Sequence, residues 1–75
     1  MNKKQRQQVE ALLEKLNHIR EDLESIRDEE QEKHDNTPDN LQSTEAYEKR
    51  EGDISVLEEA ISKLEEIDQD LQEVM

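Results

Sequence analysis

The chain has 75 residues, 43% of them charged and only 29% hydrophobic, with one aromatic residue, no cysteine and a net charge of −12. That length allows one small domain, at the margin of what a lone hydrophobic core sustains, and the missing thiols exclude disulfides, zinc–thiolate sites and thiol catalysis. A body this acidic repels nucleic acid and anionic membranes and attracts basic protein surfaces. The acidity is lopsided: residues 1–34 carry seven Lys/Arg against nine Asp/Glu, and residues 41–75 carry three against eleven. No apolar run has the length of a signal peptide or a membrane span, so a cytoplasmic protein is expected.

Residues 2–34 contain no Gly or Pro and are rich in Glu, Gln, Lys, Arg and Leu, all strong helix formers. Val9, Leu12, Leu16, Ile19, Leu23 and Ile26 recur at alternating steps of three and four, the spacing of a heptad seam. Glu30 and Lys33 continue that seam in polar form. This predicts a helix over 2–34. Pro38 disfavours helix at Thr37 and suits the first position of a single extra turn, which makes 35–42 the connection. A second helix is predicted over 43–74, with Ser43 as its N-cap and the Glu45 carboxylate in the first turn. Its seam reads Tyr47, Arg50, Ile54, Leu57, Ile61, Leu64, Asp68 and Leu71. Gly52, the only glycine, falls on an outward position, where it weakens the helix by about 1 kcal/mol relative to Ala.

Folding the chain back on itself gives a consistent register. When facing residue numbers sum to 80, Ile26 meets Ile54, Leu23 meets Leu57, Ile19 meets Ile61, Leu16 meets Leu64 and Val9 meets Leu71. The same register sets Glu30 opposite Arg50 and Lys33 opposite Tyr47, and on the flanks Arg27 beside Glu51 and Arg20 beside Glu58. Two positions resist it. Asp68 lands opposite Leu12, and Leu13 falls on the charged flank near Glu65. Agreement at the other levels predicts an all-α fold: a single domain, 1–75, forming an antiparallel, coiled-coil-like two-helix hairpin. Each arm is about 45–50 Å long at 1.5 Å per residue.

Ala46, Ala60, Ile67 and Val74, with Val56 beside them, lie off the seam of the second helix and need another surface. Self-association into a four-helix bundle is the expected answer, so a homodimer is predicted; a groove for a partner protein is the alternative. Catalytic chemistry finds no foothold. The Glu-x-x-His motif of di-iron bundles is absent, since Lys15 and Gln31 stand three residues before His18 and His34. Glu14, His18 and Asp22 at four-residue spacing are read as helix-stabilising charge rather than metal ligands. No phosphate-binding glycine loop exists, and no serine has a base and orienting partner. No catalytic, metal or cofactor residue is therefore assigned, and no enzyme is expected.

The acidic second helix carries one sharper pattern. Glu51, Glu58 and Glu65 recur every seven residues, and Glu59, Glu66 and Glu73 do so beside them. Within each row the carboxylates stand about 10 Å apart along the helix axis at 1.5 Å per residue, a regular line of negative charge of the kind that phosphates form along a nucleic-acid strand. A rod bearing such rows can occupy a basic channel built for nucleic acid. These six glutamates, with Val56, Ile67 and Val74 as apolar anchors, are the candidate partner-binding residues.

The stretch EEQEKHDNTPDNLQSTEAYEK at residues 29–49, followed by LEEAISKLEEI, resembles small acidic helical proteins encoded by phages and prophages of Gram-positive bacteria. The likeness covers essentially the whole chain, and residues 29–45 are its most specific part. It implies an aromatic residue where this chain has His34, and it carries no site residues. It also implies a mobile-element setting, in the cytoplasm of a host cell. The expected function is a protein-binding module that inhibits or modulates a host nucleic-acid-handling or defence protein, with DNA mimicry as one route. The alternative is a structural or scaffolding coil that assembles only with itself or with virion or operon partners.

Overall fold

A computed structural model describes all 75 residues. Two α-helices, α1 (Lys3–Asp35) and α2 (Glu45–Gln72), pack against each other, joined by a short 3-10 turn at Asp39–Leu41. The hairpin is a rod of 59 × 15 × 13 Å. No helix in it is long and apolar enough to cross a membrane.

Each helix begins at a side-chain cap. Asn2 Oδ1 accepts from the Gln5 backbone N–H at 2.8 Å while Gln5 Oε1 accepts from the Asn2 N–H at 3.1 Å, a reciprocal capping box. The Asn2-x-x-Gln5 spacing is visible in the sequence and would have placed this boundary. The N-cap of α2 is Thr44, not Ser43: its Oγ1 accepts from the Tyr47 N–H at 3.2 Å and donates to the Leu41 carbonyl. The hydroxyl thereby ties the helix start to the preceding 3-10 turn, which a cap at Ser43 would leave unanchored. Pro38 stands just ahead of that turn rather than at its first position.

The seam of α2 follows the predicted column. Ile54 and Ile61 are buried, and Tyr47, Arg50, Leu57, Leu64, Asp68 and Leu71 are half-buried. Helix α1 is rotated by one column from the predicted register. Leu13 is 6% exposed, while Leu12, Ile19 and Ile26 are 53%, 50% and 48% exposed. The half-buried residues of α1 include Leu16, Arg20, Leu23, Arg27, Glu30 and His34. The column Leu16, Leu23, Glu30 belongs to both registers; what changes is which neighbouring column turns toward α2. The contacts explain the choice. This rotation stacks the His34 imidazole on Tyr47, ring centroids 4.1 Å apart, and lets Arg20 reach Glu65. Arginine stems cover apolar surface while their charged heads stay wet, so a seam carrying Arg20 and Arg27 is tolerable.

Several expected partners change with the rotation. Lys33 lines the same closed-end groove as Tyr47, while its ammonium donates to Glu30 Oε1 on its own helix at 3.0 Å. Arg20 pairs with Glu65 at 3.6 Å rather than with Glu58, and Arg27 pairs with its neighbour Asp28 rather than with Glu51. Leu13, placed on the charged flank by the sequence register, is the enclosed residue of α1. The Glu30–Arg50 pair is as expected, Oε2 to Nε 3.6 Å.

Truncating Leu13 to Ala should therefore cost about 2–3 kcal/mol and Leu12 to Ala clearly less, at concentrations where the chain is monomeric. Urea melts of the two variants check the rotation; equal losses would restore the Leu12 seam. A Cβ added at Gly52 meets nothing within 4 Å. Gly52→Ala should thus stabilise the hairpin by about 1 kcal/mol, seen as a higher thermal midpoint.

Candidate functional site

The rotation of α1 gives the hairpin two unlike broad faces. At the closed end one groove is lined by Lys33, Ala46, Tyr47 and Arg50, and the groove on the other side by Gln31, His34, Glu51 and Glu58. Stepping by sevens along each helix extends these faces down the rod. From Lys33 the first face runs through Ile26, Ile19 and Leu12; from Ala46 it runs through Asp53, Ala60, Ile67 and Val74. From Gln31 the second face runs through Glu24 and Asn17; from Glu51 it runs through Glu58 and Glu65. One face is largely apolar and the other acidic.

All nine candidate binding residues are exposed, but they do not form one surface. Glu51, Glu58 and Glu65 line the acidic face. Glu59, Glu66 and Glu73 lie on the outer side of α2, away from α1. Ile67 and Val74 belong to the apolar face, with Val56 one column further out. A single flat partner cannot take the glutamate row and the apolar residues together. Leu12, Ile19 and Ile26, which the sequence register hides in the seam, are the larger part of the apolar face. They become visible as surface residues only once the rotation of α1 is known.

Cations temper the acidic surface at its edges. Arg20 lies beside Glu65, and Lys63 Nζ is 3.2 Å from Glu59. Glu51, Glu58, Glu66 and Glu73 have no cation within 4 Å. Lys49 donates to Asp53 at 2.9 Å, and that hydrogen bond and the carboxylate charge raise its pKa above the ordinary lysine value. His18 Nδ1 lies 3.7 Å from Glu21, and no three His, Asp or Glu side chains converge in metal-holding geometry. His34 and Ser55 both line the groove on the acidic side, and His34 Nδ1 is buried there without a hydrogen-bond partner. What the arrangement offers is a graded field along a rigid rod.

The closed end holds the two arms in register. Thr37 is its hub: Oγ1 donates to the Lys33 carbonyl at 2.8 Å and accepts from Arg50 Nη1 at 3.4 Å, while its carbonyl accepts from Gln42 Nε2 at 3.2 Å. His34, where the resemblance implies an aromatic residue, supplies a ring that stacks on Tyr47 at an interplanar angle of 18°.

Reversing the charge at this end is the sharpest check of the register. Arg50→Glu sets a second carboxylate beside Glu30 and removes the donor to Thr37. Because both side chains keep about 30% exposure, the cost should be roughly 1–2 kcal/mol rather than the value for a fully buried pair. Adding Glu30→Arg should recover much of it in urea denaturation, whereas no recovery would mean that the two residues do not meet. Comparison of the chain with family models, with curated proteins and with solved structures finds no match.

Proposed function

We propose that this chain is a non-enzymatic protein-binding module whose acidic second helix docks on a basic protein surface, occupying a site built for nucleic acid. The observation that carries the reading is the carboxylate row Glu51, Glu58 and Glu65 on one face, with Glu59, Glu66 and Glu73 around the same helix, all exposed and with only Glu65 and Glu59 beside a cation. Such a row steers a basic partner from a distance, and a straight helix presents it without the entropy cost of ordering a flexible tail. In the mobile-element setting that the sequence resemblance implies, the partner is a host nucleic-acid-handling or defence protein in the host cytoplasm, and binding inhibits or modulates it.

The opposite face supports a second activity of the same molecule, self-association. Only Leu13, Ile54 and Ile61 are buried, too little apolar burial for a hairpin to stand securely alone. Two hairpins joined through their apolar faces make a four-helix bundle and leave the acidic faces outward. A chain whose only partner is itself, or a virion or operon protein, would be a scaffolding coil instead.

Affinity capture from host lysate at two salt concentrations separates these readings. The proposed module should recover a nucleic-acid-binding protein at low salt, lose it at high salt and release it to competing DNA. The triple variant Glu51→Gln/Glu58→Gln/Glu65→Gln should recover at least about tenfold less, for roughly 1.4 kcal/mol of lost interaction. Recovery that ignores both salt and the triple variant, or of nothing but the chain itself, would leave the scaffolding coil.

A further inference from the structure

We infer that the apolar face is an antiparallel homodimer interface, with a two-fold axis passing beside Ile19 and the closed ends of the two hairpins at opposite ends of the bundle. This rests on the self-association proposed above and specifies its geometry. The hairpin exposes 5812 Å² for a mass of 8.9 kDa, whereas a compact monomer of that mass exposes about 4,800 Å². The surplus, roughly 1,000 Å², exceeds the ~800 Å² per partner of a standard stable interface. Five of the nine large apolar side chains exposed on the rod lie on this face, Leu12, Ile19 and Ile26 each about half exposed with Ile67 and Val74 alongside.

The orientation follows from α1. The helix spans Lys3–Asp35, so Ile19 is its middle residue, with Leu12 seven positions before it and Ile26 seven after. A two-fold axis there overlaps the entire helix with its copy. Ile19 then meets Ile19 of the second copy, and Leu12 meets Ile26 in both directions. The column just outside this stripe is Gln8, Lys15, Asp22 and Glu29, all exposed. The same axis brings Lys15 beside Asp22 of the second copy, twice, and Gln8 beside Glu29. Lys15 has no carboxylate within 4 Å in its own hairpin, nor has Asp22 a cation, so both are free for this pairing.

The parallel arrangement, with closed ends together and α1 lying on α2 of the second copy, fits worse. The Glu30–Arg50 pair sets the level of the two arms. At that level Ile26 lies over Asp53, Ile19 over the small Ala60, and Lys15 close to Lys63. Asp53 lies near an apolar side chain in either arrangement, Ile26 in the parallel bundle and Ile67 in the antiparallel one, but the cation beside a cation is unfavourable and occurs in the parallel bundle alone. In the antiparallel bundle the rows Glu51, Glu58 and Glu65 of the two copies face away from each other, giving two acidic surfaces back to back.

The full chain with Ile19→Cys tests this directly, because the natural sequence has no cysteine and a disulfide forms only when the two Cα atoms come within about 7 Å. Under mild oxidation Ile19→Cys should form covalent dimers rapidly with helicity retained, and Ser25→Cys on the outward side of α1 should not. Mixed Leu12→Cys and Ile26→Cys chains should cross-link to each other. Sedimentation equilibrium of the unmodified chain separates the two levels of the proposal. A monomer at tens of micromolar overturns self-association itself; a dimer in which Ile19→Cys cross-links no faster than Ser25→Cys overturns only the geometry. Lys15→Asp gives an answer independent of any cysteine. It should weaken the antiparallel dimer by about tenfold, and Asp22→Lys added to it should restore binding. In the parallel bundle Lys15→Asp would instead tighten association through Lys63, and that result would overturn the orientation.

Discussion

A pair of helices has a single line of contact, and this chain closes that line with three enclosed aliphatic side chains, Leu13, Ile54 and Ile61. Every other large apolar side chain is left partly or wholly in water. This scarcity shapes the rest of the molecule. The rod is only about two helices thick, so no side chain is far from solvent, and ion pairs such as Glu30–Arg50 and Arg20–Glu65 sit at the edge of the seam rather than inside it. Each is screened and individually modest; their value is to select one register among several that would bury similar apolar area. The stacked pair His34–Tyr47 and the Thr37 hydrogen bonds do the same at the closed end.

The choice of register has consequences at the surface. Turning Leu13, Arg20, Arg27 and His34 inward turns Leu12, Ile19 and Ile26 outward, and it does so onto the side where α2 shows Ala60, Ile67 and Val74. Surface of this kind needs a cover. The opposite side collects Glu24, Glu51, Glu58 and Glu65. The hairpin thereby separates an apolar face suited to association from an acidic face suited to electrostatic docking. The two proposed activities use different sides of the same rod, so neither obstructs the other. A back-to-back pair would also present two acidic faces, and a doubled site gains avidity wherever a partner offers two basic surfaces within reach.

The closed end shows how little chain is needed to set such a register. Nine residues, 36–44, connect the arms. Asn36 ends α1 by donating to the Glu32 carbonyl, Pro38 precedes a single 3-10 turn, and Thr44 both closes that turn and opens α2. Arg50 reaches back across the seam to Glu30 and Thr37, linking the first two turns of α2 to the last turns of α1. A short loop held by side-chain hydrogen bonds leaves little freedom for the arms to slide past one another.

By itself the sequence determined the two helices, the bend between them, the seam column of α2 and the meeting of Glu30 with Arg50. These follow from the three-four spacing, from Pro38 and from charges at fixed offsets, all of which act within one element or across one short turn. It also showed the acidic rows, because a heptad repeat of Glu needs no partner to be recognised. The rotation of α1 was not legible. Leu12 and Leu13 are adjacent aliphatic residues flanking the same Leu16–Leu23 column, and periodicity alone favours Leu12, since Ile19 and Ile26 repeat it while Leu13 is followed by Arg20 and Arg27. Tertiary packing decided the other way. The ring stack of His34 on Tyr47, the reach of Arg20 to Glu65 and the apolar cover that arginine stems provide are all cross-helix interactions, and a pattern read along one strand of sequence does not contain them.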